Sequence, residues 1–347
     1  MKSITTYPLT EIKNLLQDLG QPSFRAQQLV DWIYVKGATS YDAMTNLPQT
    51  LRTLLSEHYP LHAPRIIDKQ ISHDGTRKYV LEFDDGVKVE TVGIPSFDTT
   101  PEGDPKHLTV CFSTQAGCPM QCAFCATGTE GLTRNLSSGE MILQIITVQN
   151  DFQTRVSHVV AMGQGEPFLN YDATLEALRF MNAKKGLEIG ARHITVSTCG
   201  VIPGIDRFAQ EPEQFTLAVS LHSAQQAIRD ELMPQCTRWP LSDLKEALCS
   251  YVDKTNRRIS LEYLMIKNLN DTPHALQSLC DFADGLLSHI NLIPFNSVDH
   301  CSYQSSTEAT IIQFQKALTR VGIETTIRNS RGSDIAGACG QLKNKLR

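Results

Sequence analysis

The chain has 347 residues, 41% of them hydrophobic, and a formal net charge of −5. This suits one large domain, or one domain with a small accessory unit, and argues against a general polyanion binder, so any nucleic-acid contact must come from a local patch. No run of about 18 apolar residues is present to span a bilayer, and Met1 to Leu15 lacks a charged-then-apolar export signal, so a cytoplasmic protein without membrane association is expected.

Leu9 to Leu19 and Arg25 to Lys36 read as short helices, and Leu47-Pro48 opens a third. Lys78 to Phe83 and Val87 to Val92 alternate around Asp84-Asp85-Gly86, the pattern of a β-hairpin with an Asp-Gly turn. A polar stretch rich in Pro, Gly and Asp, Pro95 to Pro105, follows. The resulting division is a helical accessory unit over 1–60, a hairpin and linker over 61–100, and a core over 101–347.

From His107 onward strands and helices alternate. Candidate strands are 107–113, 158–163, 193–197, 215–221, 258–265, 289–295 and 323–328. Ser137-Ser138-Gly139-Glu140 is a capping box opening a helix with Ile142, Ile145 and Ile146 on one face. Tyr171 to Ala183, Leu241 to Tyr251 and Thr307 to Val321 are further helices. This order implies an α/β fold with a parallel sheet, open or curled into a full or partial (β/α) barrel, whose ligands gather at the C-terminal ends of the strands.

Cys118-Pro119-Met120-Gln121-Cys122-Ala123-Phe124-Cys125 follows the first core strand. Ten cysteines in a chain this long do not form a disulfide framework, and a clustered triplet points to metal or redox chemistry in a reducing compartment. Zinc sites use four ligands in pairs, and no second pair lies nearby. Three thiolates can hold three irons of a cubane [4Fe–4S] cluster and leave the fourth iron open. The spacing, with Phe124 before the last cysteine, resembles the cluster motif of the radical S-adenosylmethionine (SAM) enzymes.

Met162-Gly163-Gln164-Gly165-Glu166-Pro167 follows the second core strand. Its composition fits an ordinary turn equally well, but its place one βα unit after the triplet favours a ligand, with Glu166 for an ammonium group. Ser197-Thr198-Cys199-Gly200, Ser220-Leu221-His222-Ser223 and Asn296 end later strands and would add polar groups to the same rim. Cys236, Cys249, Cys280 and Cys301 read as small buried hydrophobes. Cys111, on the first core strand, and Cys339, among small residues with glycines close by on both sides, stand apart from them.

Taken together, the chain resembles the 23S ribosomal RNA adenine-C2 methyltransferases (RlmN), with the C8-methylating resistance enzymes (Cfr type) as near relatives. The resemblance is carried by Phe24-Arg25-Ala26-Gln27-Gln28, Trp32-Ile33-Tyr34, Met44-Thr45-Asn46-Leu47, Val89-Glu90-Thr91-Val92, Cys111 to Cys125, Arg134-Asn135-Leu136, Gly165-Glu166-Pro167, Asn291 to Asn296 and the Cys339 segment. It implies a radical SAM partial barrel with an N-terminal RNA-binding unit. It further implies that Cys118, Cys122 and Cys125 hold the cluster, and that Gly165, Glu166, Ser197, Ser220, Leu221, His222 and Asn296 line the SAM site. Cys339 would be methylated by a first SAM, Cys111 would be the resolving thiol, and Glu90 the proton acceptor.

The implied chemistry suits an electron-poor ring carbon. A deoxyadenosyl radical takes hydrogen from the methyl on Cys339, and the resulting carbon radical adds to the adenine as a transient protein–RNA adduct. Loss of a proton and an electron, then attack by Cys111 on the Cys339 sulfur, would release methyladenine and leave a disulfide. Two SAM molecules serve each turnover. The implied partners are 23S rRNA, with tRNA left open, and an electron donor such as flavodoxin or ferredoxin; a monomer is expected. The target adenine has to be presented unstacked. Residues 321–347 carry a local charge of +3, with Arg328 and Arg331 placed to grip phosphate; for Lys343, Lys345 and Arg347 a solvated charge is an equal reading.

Three departures stand out: Gln164 where the family commonly has methionine, Cys199 where serine is usual, and no longer tail after Gly340. Three other readings stay open. One is methylation at C8, the second a radical SAM enzyme acting on a small molecule or protein, the third a non-catalytic iron–sulfur RNA-binding protein.

Overall fold

The computed structural model describes residues 3–97, 105–129 and 131–343. At the N-terminus lie α1 (Leu9–Asp18), α2 (Ser23–Val30), which runs on through a π-type turn to Val35, and α3 (Gln49–His58). Pro8, Pro22 and Pro48 precede them, fixing φ where each chain segment enters its helix. Their apolar faces join the same hydrophobic cluster as the core. The Glu176 carboxylate accepts from the Leu9 and Thr10 amides at 2.9 and 2.8 Å, a negative charge at the positive end of α1.

The strands follow as β1 (Arg65–Ile71), β2 (Arg77–Glu82), β3 (Lys88–Ser96), β4 (His107–Cys111), β5 (Gln115–Gly117), β6 (Leu132–Asn135), β7 (His158–Ala161), β8 (Ile194–Thr198), β9 (Thr216–Ser220), β10 (Ile259–Met265), β11 (Ser288–Pro294) and β12 (Glu324–Ile327). All except β5 and β6 form one ten-stranded sheet in the order β1-β2-β3-β4-β7-β8-β9-β10-β11-β12. It is antiparallel from β1 to β4 and parallel from β4 to β12. No ladder joins β1 to β12 among the described residues, so the barrel is partial.

The hairpin forms where the Asp-Gly turn placed it, but it is not detached from the core. β3 pairs with β4 from Val92↔Cys111 to Ser96↔His107, which continues the core sheet. Pro95 and Ser96 therefore belong to a strand, and residues 98–104 of the linker lie outside the described residues. β1 gave no sequence signal because it is a largely exposed edge strand with a register irregularity between Ile66 and Asp68.

The helices α4 (Ser138–Phe152), α5 (Tyr171–Asn182), α6 (Ile202–Phe208), α7 (Gln226–Leu232), α8 (Leu241–Thr255), α9 (Pro273–Ala283) and α10 (Glu308–Arg320) connect the parallel strands. The capping box at α4 is present in both directions between Ser137 and Glu140. β10 is nearly all buried and β9 is buried through its middle, as parallel strands covered on both faces must be.

Candidate active site

β5 and β6 form a short ribbon that closes the cysteine loop at its base, and the Cys118 amide donates to Gly131 O at 2.8 Å. Gly117 has φ +75°, and a Cβ there would lie 2.0 Å from Gly131 O, so only glycine fits. Within the loop, Cys125 N donates to Cys122 O, and Gly128 N to Cys125 O, both at 3.1 Å. All three thiols line one cavity of about 160 Å³ at the C-terminal ends of the parallel strands.

Burial pushes each of the three thiols up, Cys118 to about 12, so they ionise only against a cationic partner. Among the described residues no three His, Cys, Asp or Glu side chains converge on a single metal ion. A cubane asks for something different, one soft thiolate per iron, and three thiols on one wall fit that demand.

Gly165, Glu166, Ser197, Ser220 and His222 line the same cavity. Glu166 is buried; its carboxylate accepts from Phe168 N at 3.0 Å and Cys199 N at 2.8 Å. Burial nevertheless raises its pKa, the backbone donors opposing the rise. His222 is buried with φ +55°, and its Nδ1 accepts from Leu264 N at 3.1 Å, which leaves the proton on Nε2. Burial, then the Arg229 charge, lowers its pKa to about 3, so the ring stays neutral. Two expected residues stand elsewhere. Leu221 is fully buried and does not reach the cavity. Asn296 Nδ2 donates to the Cys339 carbonyl at 3.2 Å.

A second cavity, of about 260 Å³, holds Cys111, Asn296 and Cys339. The two cavities share a wall that includes Cys125, Met162, Arg328 and Cys339, so Cys339 faces both. Cys111 is pushed up to about 12 by burial, with Cys339 adding to the rise and Arg328 opposing it. All ten cysteines are free thiols.

The Cys339 segment is tied from three sides. The cysteine loop holds it through Ala126 N to Gly340 O at 2.7 Å and Thr127 Oγ1 to Leu342 O at 2.7 Å. The end of β11 holds it through Asn296 and through Gln341 Nε2 to Ser297 O at 3.0 Å. The β1–β2 turn holds it through Asp334, which accepts from Ser72 Oγ at 2.6 Å and His73 N at 3.2 Å, and through Asp74, which accepts from Gly332 N at 3.1 Å.

Glu90 lines neither cavity. It is 2% exposed, on the β3 face that carries Val92 opposite Cys111, and it pairs with Lys78 Nζ at 3.4 Å. Arg328, expected to grip phosphate, turns inward: its NH1 lies 3.8 Å from Glu262 and 3.7 Å from the Met162 sulfur. Arg331 stays half-exposed, 3.9 Å from Asp74. Lys345 and Arg347 lie outside the described residues.

Sequence reasoning missed Glu262, Lys78 and Arg229. Arg229 is fully buried and donates to Cys199 O at 2.7 Å, beneath the strand end that carries Ser197. A charged residue inside an otherwise apolar strand, Glu262 in β10, is the one local signal that marked any of them.

A family profile for the ribosomal RNA large subunit methyltransferase N-terminal domain matches residues 4–60, and one for the radical SAM superfamily matches residues 112–278. A "Probable dual-specificity RNA methyltransferase RlmN" from Thermosynechococcus vestitus is 44% identical over 333 residues, 96% of this chain and 96% of its own. One of the same description from Clostridium novyi is 40% identical over 345 residues, covering 99% of this chain and 98% of its own. The crystal structure of a radical SAM methyltransferase from Sphaerobacter thermophilus superposes with a TM-score of 0.90 at 39% identity, over 99% of this chain and 100% of that one.

Proposed function

The chain belongs to the RlmN family of radical SAM methyltransferases, and from this we propose that it methylates C2 of an adenine in 23S rRNA, and an adenine of tRNA as a second substrate. One observation carries the reading. Cys339 faces both the cavity with the three cysteines and the cavity with Cys111, so one thiol serves two chambers.

In this reading Cys118, Cys122 and Cys125 hold a [4Fe–4S] cluster. Cluster and SAM together, when bound, supply a carbon radical in the first chamber. The protein's own groups do the rest. Gly165, Glu166, Ser197, Ser220 and His222 shape the SAM chamber, with Leu221 buried between the last two. The two backbone donors on Glu166 leave its carboxylate with lone pairs for an ammonium group. His222 presents a fixed N–H. Asn296 acts at one remove, by holding the Cys339 carbonyl.

Cys339 takes a methyl group from a first SAM and presents it to the base in the second chamber. Glu90 accepts the proton lost from the ring carbon. The adduct would also give up one electron, for which a bound cluster would be the acceptor. Cys111 then attacks the Cys339 sulfur, the bond from that sulfur to the base-bound methylene breaks, the methylene takes up a proton to become the methyl group, and the two cysteines end as a disulfide that an external reductant must reopen. Two SAM molecules are used per methyl transferred.

Residues 1–60 are assigned to RNA binding. Phe24 is 53% exposed with the Arg25 guanidinium 4.8 Å above its ring, and Lys36 lies 3.8 Å above the Trp32 ring, a stacking and cationic surface of the kind that holds unpaired bases. We place the protein in the cytoplasm, as a monomer served by a flavodoxin- or ferredoxin-type donor. The test is mass spectrometry of nucleosides from ribosomal RNA treated with the enzyme, SAM and reductant. 2-Methyladenosine is expected; 8-methyladenosine as sole product, or no modified adenosine, overturns the proposal.

A further inference from the structure

The β2–β3 register places Lys78 opposite Val92 and Val80 opposite Glu90, while Val92 lies opposite Cys111 on β4. Directly paired residues share a face, and so do alternate residues along a strand. Lys78, Glu90 and Cys111 therefore stand on one face of the sheet, the face that Ile94 and Thr109 continue into the second cavity. The Lys78 side chain is only 6% exposed. Its ammonium lies 3.4 Å from Glu90 Oε1 and donates to the Ala336 carbonyl at 3.4 Å. Ala336 is a non-glycine residue at φ +50°, three positions before Cys339. A left-handed alanine persists where its surroundings hold it. Here Gly337 N bonds back to Gly332 O at 2.8 Å, and Lys78 holds the carbonyl.

We propose that Lys78 is a positioning residue that sets the Cys339 segment against Glu90. Its one buried ammonium keeps the Glu90 carboxylate ionised as a base and pins the backbone three residues before the methyl-carrying sulfur. The proposal rests on the reading of Glu90 as proton acceptor. Among the described residues, the register puts Arg65 and Asp68 from β1, Lys78 and Glu82 from β2, Lys88 from β3 itself, His107 and Cys111 from β4 and His158 from β7 on that face, with Arg328 in the second cavity and Asp74, Arg331 and Asp334 where the segment docks on the β1–β2 turn; of these, Lys78 is the buried cation at 3.4 Å from Glu90. The opposite face of β3 meets α4 through Gln144, an uncharged amide bonded to Thr91 Oγ1 at 2.7 Å. A buried carboxylate that loses a cation at 3.4 Å binds a proton more tightly, and where its pKa lies above the working pH each further unit is a tenfold loss of the ionised form.

The test compares anaerobically prepared wild-type holoenzyme with Lys78→Met, Lys78→Gln and Lys78→Arg. It reads S-methylation of Cys339 by peptide mass spectrometry, and methyladenine formation as a function of pH. With Lys78→Met, Cys339 methylation is expected to stay within about twofold, while methyladenine formation at neutral pH falls at least about tenfold and its pH profile moves alkaline by about a unit. The covalent protein–RNA adduct is expected to accumulate, and Lys78→Arg to restore most of the product. Lys78→Gln keeps a donor for Ala336 without the charge; it gives the same split and serves if the methionine variant does not fold. An unchanged pH profile, or parallel loss of Cys339 methylation and RNA product, overturns the proposal alone. A wild-type enzyme that makes no methyladenine overturns the reading beneath it as well.

Discussion

The loop from Cys118 to Cys125 and the segment around Cys339 face the same chamber but are built in opposite ways. The first is held mainly by backbone: its own bonds, the β5–β6 ribbon at its base, and Ala123 N to Leu232 O at the end of α7 at 2.9 Å. The second has little structure of its own beyond a 3-10 turn at Ser333–Ile335, and is held by side chains and amides of other elements. The difference matches the two tasks. On the proposed reading the first would hold a cluster in place, whereas the second would carry a sulfur that serves two cavities.

The sharpest way to break this comparison is at its sulfurs. Cys125→Ala should remove cluster iron and, with it, both SAM cleavage and RNA methylation. Cys339→Ala should keep iron and SAM cleavage but lose RNA methylation by at least about 10³-fold. Cys111→Ala should accumulate the covalent RNA adduct, visible as a slow-migrating band in a denaturing gel. If Cys339→Ala also lost iron, the two regions would not be separable.

A milder cut acts on the ties. Asp334→Ala removes acceptors for Ser72 Oγ and the His73 amide without touching either cavity. Amide exchange over residues 332–337 should quicken by about tenfold, read by hydrogen-exchange mass spectrometry, with the melting temperature nearly unchanged. A fall in melting temperature as large as that of a core mutant would show the segment to be part of the global fold.

The rigid side has its own signature in pH. His222 is neutral in the folded chain because burial lowers its pKa to about 3, against about 6.5 unfolded. The folded pKa is depressed, so the unfolded chain binds the proton first as pH falls. The stability contributed by the neutral ring is complete above about pH 6.5 and declines toward pH 3. Between pH 7 and pH 5 the loss is about 2 kcal/mol, and His222→Gln should flatten the corresponding fall in melting temperature. A slope identical to wild type would count against a buried neutral ring.

The smallest effect is expected at Gln164, which is 1% exposed and whose side-chain amide finds no partner among the described residues. Gln164→Met removes that buried polar group and should raise the melting temperature by about 2–4 °C. A drop would mean that the amide is satisfied by bound water.

These contrasts also explain what could be read from the sequence. The triplet was legible because its chemistry lies in eight consecutive residues, and the strand-end motifs because a parallel αβ order sends such ends to one rim. Residues whose meaning depends on register were not. Nothing near Lys78 in the chain announces that it reaches both Glu90 and Ala336, since that depends on the β2–β3–β4 pairing. The strand-end place of Asn296 marks it as a polar group on the rim, and the family resemblance as a SAM contact, yet its amide turns to the Cys339 carbonyl. Arg328 looked like a surface cation beside a basic tail, and its inward turn follows from Glu262 two strands away. β1 escaped because an exposed edge strand carries no alternation.

The sheet is a ring with a gap between β1 and β12, and the chain leaving β12 returns to the β1–β2 turn. The Cys339 segment is thus the clasp of an otherwise unclosed hoop, fastened by a few polar bonds rather than a strand ladder. Undoing those bonds costs far less than unpairing strands, so the hoop can unlatch while the rest of the sheet stays intact. Opening at that seam would leave every ladder of the ten-stranded sheet paired.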